Sequence, residues 1–263
     1  DPRGSRGLGD VYKRQSLNGR VPQSNVLDIT NLKSIKGISR DEDGDWHIGA
    51  LTTWTDLIEE DLPSSFDGLK LSAREVGSVQ IQNRATVVGN ICNASPAADG
   101  VPPLLTLGAR VKIGSMAGER RMPLRDFIQG NRKTALKPGE IVIGVVLPAN
   151  STSGVSSFLK LGARKYLVIS ISMVASRIHV SNGRISDAAI AVGSCSLVAQ
   201  RLLDLESLII GKEATSDIVD LIKEDHFKNL AAIDDVRATK DYRMHAAKEM
   251  VARALTQTLE ATI

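Results

Sequence analysis

The residues of this chain that can do chemistry crowd into one stretch, Thr86 to Asp99, which reads TVVGNICNASPAAD and runs into VPPLL. Gly89 lets a ligand approach the backbone with no side chain in between. Asn90, Asn93 and Ser95 can donate to phosphate or sugar oxygens, and the backbone N–H groups around Gly89 can form an anion-binding nest. Asp99, an anion itself, is unsuited to phosphate but can accept hydrogen bonds from ribose or ribityl hydroxyls. Such a set suits a nucleotide. The same letters also describe an ordinary Asn/Gly-rich turn with a helix cap at Ser95 or Asp99, and residue types alone leave both readings open.

Elsewhere the chemistry is thin. His47, His179, His226 and His245 stand far apart, none at a metal-ligand spacing, so each reads as a surface or structural histidine. Two cysteines, Cys92 and Cys195, are too few for a disulfide framework or for the ligands of an iron–sulfur cluster. With no base at an informative spacing they read as packing residues in a protein of a reducing cytoplasm. DEDGD at 41–45 reads as a turn, lacking the longer ligand run and terminal glutamate of a calcium loop. Trp46 and Trp54 read as core or interface anchors. Lys160, by itself, reads as a solvated charge on a strand edge.

Composition narrows the class further. The 263 residues, 42% of them hydrophobic, suffice for one large domain or two ordinary ones with a buried core. Basic and acidic residues, 33 and 30, are interspersed and leave a net charge of +3, so the electrostatic footprint of a nucleic-acid binder is missing. The longest apolar runs, such as IVIGVVL, are strand-sized and far short of the about 20 residues a membrane span needs.

The elements that must position the polar stretch can be read from periodicity. NVLDIT predicts a short buried strand; DEDGDWHIGALTTWTDLIEE predicts a turn, a strand and a helix starting near Thr53 with Leu57 and Ile58 inward. Thr86 to Val88 looks like a strand end. LGARVKIGS alternates Ala109, Val111 and Ile113 against polar neighbours, and GEIVIGVVLP is apolar on both faces like a central strand; together they predict a mixed sheet. ANSTSG after Pro148 has the small, polar composition of a domain boundary. Beyond it, Asn182-Gly183 between two strand-like runs predicts a type I′ hairpin. Two helices should follow, TSDIVDLIKED capped by Thr215 or Ser216, and TKDYRMHAAKEMVARALTQTLEA with Tyr242, Ala246, Met250 and Ala254 beside Ala247, Val251, Leu255 and Leu259.

Five blocks then occur in order: IGALTTWTDLIEE, VGSVQIQNRATVVGNICNASPAAD, RKTALKPGEIVIGVVLP, FLKLGARKYLVISISMVA and DDVRATKDYRMHAAKEMVARAL. Together, from about Asn18 nearly to the C-terminus, they resemble the FAD-binding medium subunit of molybdenum hydroxylases, the family of xanthine dehydrogenase and the carbon monoxide dehydrogenase flavoprotein. The resemblance implies an α+β fold: a vanillyl-alcohol-oxidase-type, two-part FAD-binding domain over residues 17–150, then a smaller α+β domain of sheet covered by helices over 151–263. It implies FAD in this chain, with the pyrophosphate wrapped by Thr86, Val87, Gly89 and Asn90, and Asp99 on the flavin's polyol hydroxyls; Ser95, a donor candidate by residue type, is the further cofactor-binding candidate of the same stretch. The family usually carries a second glycine where this chain has Val88, whose side chain could crowd the phosphate while its N–H is kept. Val142 and Lys160 match positions that line the flavin ring and contact the cofactor, with Lys160 holding negative charge on reduced flavin or on the pyrophosphate.

The resemblance assigns no catalytic or metal-binding residue to this chain. Molybdopterin and [2Fe–2S] clusters are implied only in partner polypeptides, a molybdopterin-binding large subunit and an iron–sulfur small subunit, assembled as a cytoplasmic dimer of heterotrimers. Electrons would pass from those clusters through FAD to NAD or another acceptor. One departure stands out: family members lead in with a strand, a helix, a strand and an Ala-Gly-Gly-Thr-Asp-like loop, where this chain has RGLGDVYKRQS. Gly7, Gly9 and Asp10 can imitate the loop, but the following strand is missing, which marks residues 1–16 as atypical and the FAD-binding domain as incomplete at its start. The alternative is therefore a non-catalytic assembly subunit of the same fold that has lost FAD. A weaker one is an independent flavin oxidase, which would need convergent acid–base residues that the sequence does not offer.

Overall fold

Ile141–Leu147, a run without one polar side chain, forms the central strand of a five-stranded sheet, because a strand covered on both faces has no position to give to water. The computed structural model describes residues 27–262, so Gly7, Gly9, Asp10 and the rest of the atypical lead lie outside the described residues. The first half contains β1 (Ile38–Arg40), β2 (Trp46–Gly49), α1 (Trp54–Glu59), α2 (Asp67–Glu75), α3 (Val79–Gln82), α4 (Val87–Asn93), α5 (Val101–Thr106), β3 (Arg110–Ser115), β4 (Gly118–Pro123), α6 (Leu124–Phe127), β5 (Ile128–Gly130), β6 (Lys133–Thr134) and β7 (Ile141–Leu147). The sheet order is β1-β2-β7-β3-β4, with β5 and β6 as a separate hairpin.

Every ladder in the five-stranded sheet is antiparallel, which corrects the mixed sheet read from the sequence. Five helices, α1 to α5, separate β2 from β3, yet β7 enters between these strands and runs against both, so no crossover pairs them in parallel. The strand expected over NVLDIT is also absent among its described residues. Asp28 accepts from the N–H and hydroxyl of Thr30 at 2.8 and 2.7 Å, a local turn that competes with a ladder, and Leu27 is exposed.

The second half holds β8 (Val155–Leu161), β9 (Ser172–Ser181), β10 (Arg184–Gly193), β11 (Gln200–Arg201), α7 (Leu203–Ile209) and α8 (Lys240–Glu260), with sheet order β11-β10-β9-β8. Asn182 and Gly183 both have positive φ, 52° and 73°, as the hairpin turn demands. Thr239 caps α8 by accepting the Tyr242 N–H at 3.2 Å; Ala246, Ala247, Met250, Val251, Ala254, Leu255 and Leu259 are buried against the sheet, while Tyr242 stays exposed. TSDIVDLIKED differs from expectation: Ser216–Leu221 is a 3-10 segment, and Thr215 makes no side-chain cap that would nucleate a longer helix. α7 lies in LDLESLI, where apolar letters run too closely for a helical stripe to stand out. Glu206 anchors it, accepting the Ile190 N–H at 2.8 Å and two bonds from Arg201 at 2.8 and 2.6 Å.

Among the described residues two large apolar cores result, one around Trp54, Leu57, Leu69, Ile91 and Leu104, the other around Ile178, Ile190, Leu205, Val251 and Leu255, with a small cluster of Phe158, Met173 and Ala175 besides. Polar pins join them. Buried Arg177 of β9 donates to the carbonyls of Thr106 and Ser153, both at 2.9 Å, and to Asp187 at 2.6 Å. Gly68 brings α2 so close to β8 that a Cβ there would stand 2.8 Å from the Ser157 carbonyl oxygen, and its N–H donates to Ser156 Oγ at 2.8 Å. Among the described residues no helix is long and apolar enough to cross a membrane.

The turn that feeds β7 is clamped by a two-pronged ion pair. Arg120 of β4 donates twice to Glu140, at 2.8 Å each, and Glu140 also accepts the Lys137 N–H at 2.8 Å. These bonds, the Arg120 contact first, pull the Glu140 carboxyl down to about 2 from 4.5. Because the folded value is depressed, the clamp stabilises the fold above pH 4.5 and is lost as pH falls toward 2. Carboxyl NMR titration should place Glu140 near 2 in the natural chain and higher in Arg120→Ala, short of 4.5 because the Lys137 N–H bond remains; an unmoved midpoint in the variant would show that Arg120 is not the cause.

Candidate functional site

The polar stretch begins where two chain segments meet. Residues Thr53 and Thr86 form an isolated antiparallel bridge, with Trp54 N–H donating to Ala85 O and Val87 N–H to Thr52 O, both at 3.1 Å. Each threonine then starts a helix. Thr53 and Asp56 exchange side-chain and backbone bonds of 2.9 and 3.1 Å as a capping box for α1, and Thr86 Oγ1 accepts the Gly89 N–H at 2.9 Å to cap α4. The segment read as a strand end is thus a helix start, because Thr86 satisfies the first-turn donors locally.

The expectation of an open nest at Gly89 changes accordingly. The N–H groups of Val87, Gly89 and Asn90 are taken by Thr52 O, Thr86 Oγ1 and Thr86 O. What Gly89 provides is room: a Cβ there would lie 2.8 Å from Thr86 Oγ1 and disturb the cap. Val87 and Val88 point into the first core, Val88 with only 3% exposure, so the valine in place of a second glycine does not crowd the accessible side of the helix. That side carries Thr86, Gly89 and Asn90, all half-buried.

Beyond α4 the chain turns through Ala94, whose φ of 47° is left-handed. Arg132, also left-handed at 59°, comes from the β5–β6 hairpin and donates its N–H to Ala94 O at 2.8 Å and its guanidinium to Asn93, satisfying carbonyls that the helix end leaves over. Ser95 Oγ accepts the Ala97 N–H at 3.2 Å and so props the turn. Gly100 then passes beneath Trp54, where a Cβ would stand 2.5 Å from the indole. VPPLL starts α5 with its prolines in the first turn, where missing N–H groups cost nothing, and all six helix residues are buried.

Asp99 and Lys160 come together across the two halves. Lys160 Nζ is 2.7 Å from Asp99 Oδ2, with 7% and 10% of the two side chains exposed, and it also donates to Glu75 O at 3.2 Å. Ser170 Oγ donates to Asp99 Oδ1 at 2.5 Å. Burial pushes the Asp99 carboxyl above its ordinary range; the Lys160 charge and the bonds from Lys160 and Ser170 pull against that. The solvated edge lysine of the sequence is therefore a buried half of an ion pair, and its charge is already countered. Val142 does not join this group: its side chain is 3% exposed in the first core, opposite Ile113 in the ladder. Ser170, Gly100 and Arg132 were not legible as site residues, since KYLVISIS reads as strand and the others as turn letters.

Among the described residues three side-chain atoms are buried without a hydrogen-bond partner, Ser194 Oγ and Arg243 Nε in the second half and Asn90 Oδ1 in the polar stretch. Asn90 Oδ1 stands 3.2 Å from where a Gly100 Cβ would be. A buried acceptor with no donor is costly, and a ligand that brings hydroxyls or N–H groups, such as FAD, would supply one, so the residue fits such a ligand. Other polar candidates are spoken for: His47 bonds Asp41 at 2.6 Å, and His226 accepts the Lys223 N–H at 3.0 Å. Among the described residues no three His, Cys, Asp or Glu side chains gather as a metal site.

Comparison with known proteins gives a consistent set of matches. Residues 4–150 match the model of the FAD binding domain in molybdopterin dehydrogenase, and residues 157–258 that of the CO dehydrogenase flavoprotein C-terminal domain. The chain is 29% identical to the xanthine dehydrogenase FAD-binding subunit of Escherichia coli O157:H7 over 90% of its own length and 82% of that protein's. It is 33% identical to the nicotinate dehydrogenase FAD-subunit of Eubacterium barkeri, over 74% and 67%. In fold it superposes on a chain of reconstituted CO dehydrogenase from Oligotropha carboxidovorans with a TM-score of 0.86, covering 98% of this chain and 89% of that one at 23% identity.

The ion pair makes a stability prediction. Lys160→Met leaves a buried carboxylate without its cation and should cost about 3 kcal/mol in urea unfolding, whereas Asp99→Asn combined with Lys160→Met should recover most of it. Equal losses in the single and double variants would mean that the two charges do not depend on each other.

Proposed function

Since the chain belongs to the FAD-binding subunits of the molybdopterin dehydrogenase family, we propose that it is the electron-transfer subunit of a molybdenum hydroxylase, passing electrons from a partner's iron–sulfur clusters to NAD or another acceptor. On this reading residues 17–150 form the FAD-binding domain and 151–263 the C-terminal flavoprotein domain. Its partners are a molybdopterin-binding large subunit and an iron–sulfur small subunit, in a cytoplasmic dimer of heterotrimers. Substrate oxidation belongs to the partner, and this chain needs no acid–base residue of its own.

FAD, when bound, supplies a carrier that accepts and releases electrons one or two at a time. The chain's part is to hold it. Thr86, Val87, Val88, Gly89, Asn90 and Ser95 hold its phosphate and sugar portion along the accessible side of α4 and the turn that follows. Here Val87 and Val88 serve through backbone and packing, since their side chains are buried. Asp99 and Lys160 act as a neutral pair: the carboxylate keeps lone pairs for hydroxyl donors, and one ammonium N–H remains beyond those given to Asp99 and Glu75. Val142, buried in the first core, contributes through packing alone.

The observation that carries this reading is the buried, partnerless Asn90 Oδ1 at the glycine-flanked head of α4. It also supplies the test. Truncating an unsatisfied acceptor should leave the empty protein as stable as before, while removing a bond to the ligand should weaken binding about tenfold. Asn90→Ala is therefore expected to unfold at the same urea concentration as the natural chain and to take up FAD about tenfold more weakly, followed by the visible flavin bands. A natural chain that stays colourless with excess FAD and still binds its partner subunits would instead establish the assembly-only alternative.

A further inference from the structure

Asp99 is held from the second half by two groups, Lys160 on β8 and Ser170 just before β9. Lys160 resembles a known cofactor contact; Ser170 is not among the residues so far assigned any role. Its hydroxyl is 2.5 Å from Asp99 Oδ1, on the oxygen that Lys160 does not touch, and only 2% of the residue is exposed. The segment between them closes on itself, with Ile171 N–H donating to Leu161 O at 2.7 Å, so both legs of the loop address one carboxylate. A carboxylate gripped on one oxygen can pivot about that contact; gripped on both, its plane is fixed.

We infer that Ser170 is a positioning residue: by fixing the plane of Asp99 it also fixes the Lys160 ammonium, so that the second half of the chain orients the cofactor loop of the first. This rests on the reading that Asp99 and Lys160 face FAD. The other charged or polar contacts around the group are few. Lys160 faces Asp99 from β8, α2 reaches it only through the Glu75 carbonyl on Lys160, and the loop before β9 contributes the Ser170 hydroxyl.

The test compares Ser170→Ala and Ser170→Thr with Ser176→Ala, a control that removes another buried hydroxyl, bonded to Thr258 at 2.5 Å and the Ala254 carbonyl at 3.0 Å. FAD affinity is measured across acid to neutral pH, and the Lys160 ammonium is followed by ¹⁵N NMR in the absence of FAD. Ser170→Ala should bind FAD about tenfold more weakly, as expected for a lost bond to a charged group. Without that bond the carboxylate protonates more readily, so the acid-side loss of affinity should begin at higher pH. The threonine variant should restore both, and Ser176→Ala should change neither. In the FAD-free protein the slowly exchanging Lys160 ammonium signal should be lost on Ser170→Ala. If the natural chain binds FAD and Ser170→Ala matches it in affinity and pH profile, the inference fails and the function stands. If the natural chain binds no FAD, the function fails, and an unchanged ammonium signal in Ser170→Ala would then remove the positioning role as well. Should the alanine variant not fold, Ser170→Cys, of the same shape with a slightly larger and weaker donor, takes its place, with the same losses expected and an unchanged affinity and pH profile overturning the inference.

Discussion

A carboxylate with a tenth of its surface left to water must have a cation and hydrogen-bond donors at hand, and Asp99 finds them 61 and 71 residues further along, in Lys160 and Ser170. That requirement ties the loop after α4 to the β8–β9 leg. It sets which way the loop faces, and the neighbouring contacts fall into line: Glu75 at the end of α2 accepts from the same lysine, and Pro96 O accepts from Ser194 N–H at 3.1 Å. Arg177, with its two carbonyls and Asp187, repeats the principle one strand away. The seam between the halves is built from buried charge matched by backbone carbonyls and carboxylates, which fixes register where apolar packing alone would tolerate sliding.

On the other side of the loop the constraint is one of space. Thr86 caps α4 only because Gly89 has no Cβ to push its hydroxyl away, and the chain passes Trp54 only because residue 100 is glycine. Both glycines serve the fold first. They stand beside Asn90, whose side-chain oxygen is buried without a donor. The helix dipole and the free donors often invoked for such loops matter less here, since three of the first N–H groups are already bonded within the chain.

The sequence was most readable where a single local rule dominates. Asn182-Gly183, the capping Thr53, the uninterrupted apolar run of β7 and the four-residue steps of α8 all appear as their letters suggest. It misled where a local side-chain bond competes with a periodic pattern. Asp28 and Thr30 turn a strand-like run into a bend, and Thr86 turns a strand-like Val-Val into the first turn of a helix. The sheet's antiparallel order could not be read at all, because it depends on β7 entering between strands that precede it in the chain.

The sequence alone determined many of the elements, the polar stretch and the family, since capping, turn chemistry and periodicity act over a few residues and the five blocks are recognisable in order. Only the tertiary structure decided what the polar residues do. It put Val88 and Val142 in the core, made Lys160 and Asp99 partners, recruited Ser170 and left Asn90 Oδ1 unmatched. The physical reason is that burial and pairing are properties of surroundings: whether a charge is solvated or an acceptor satisfied depends on residues sixty or more positions away.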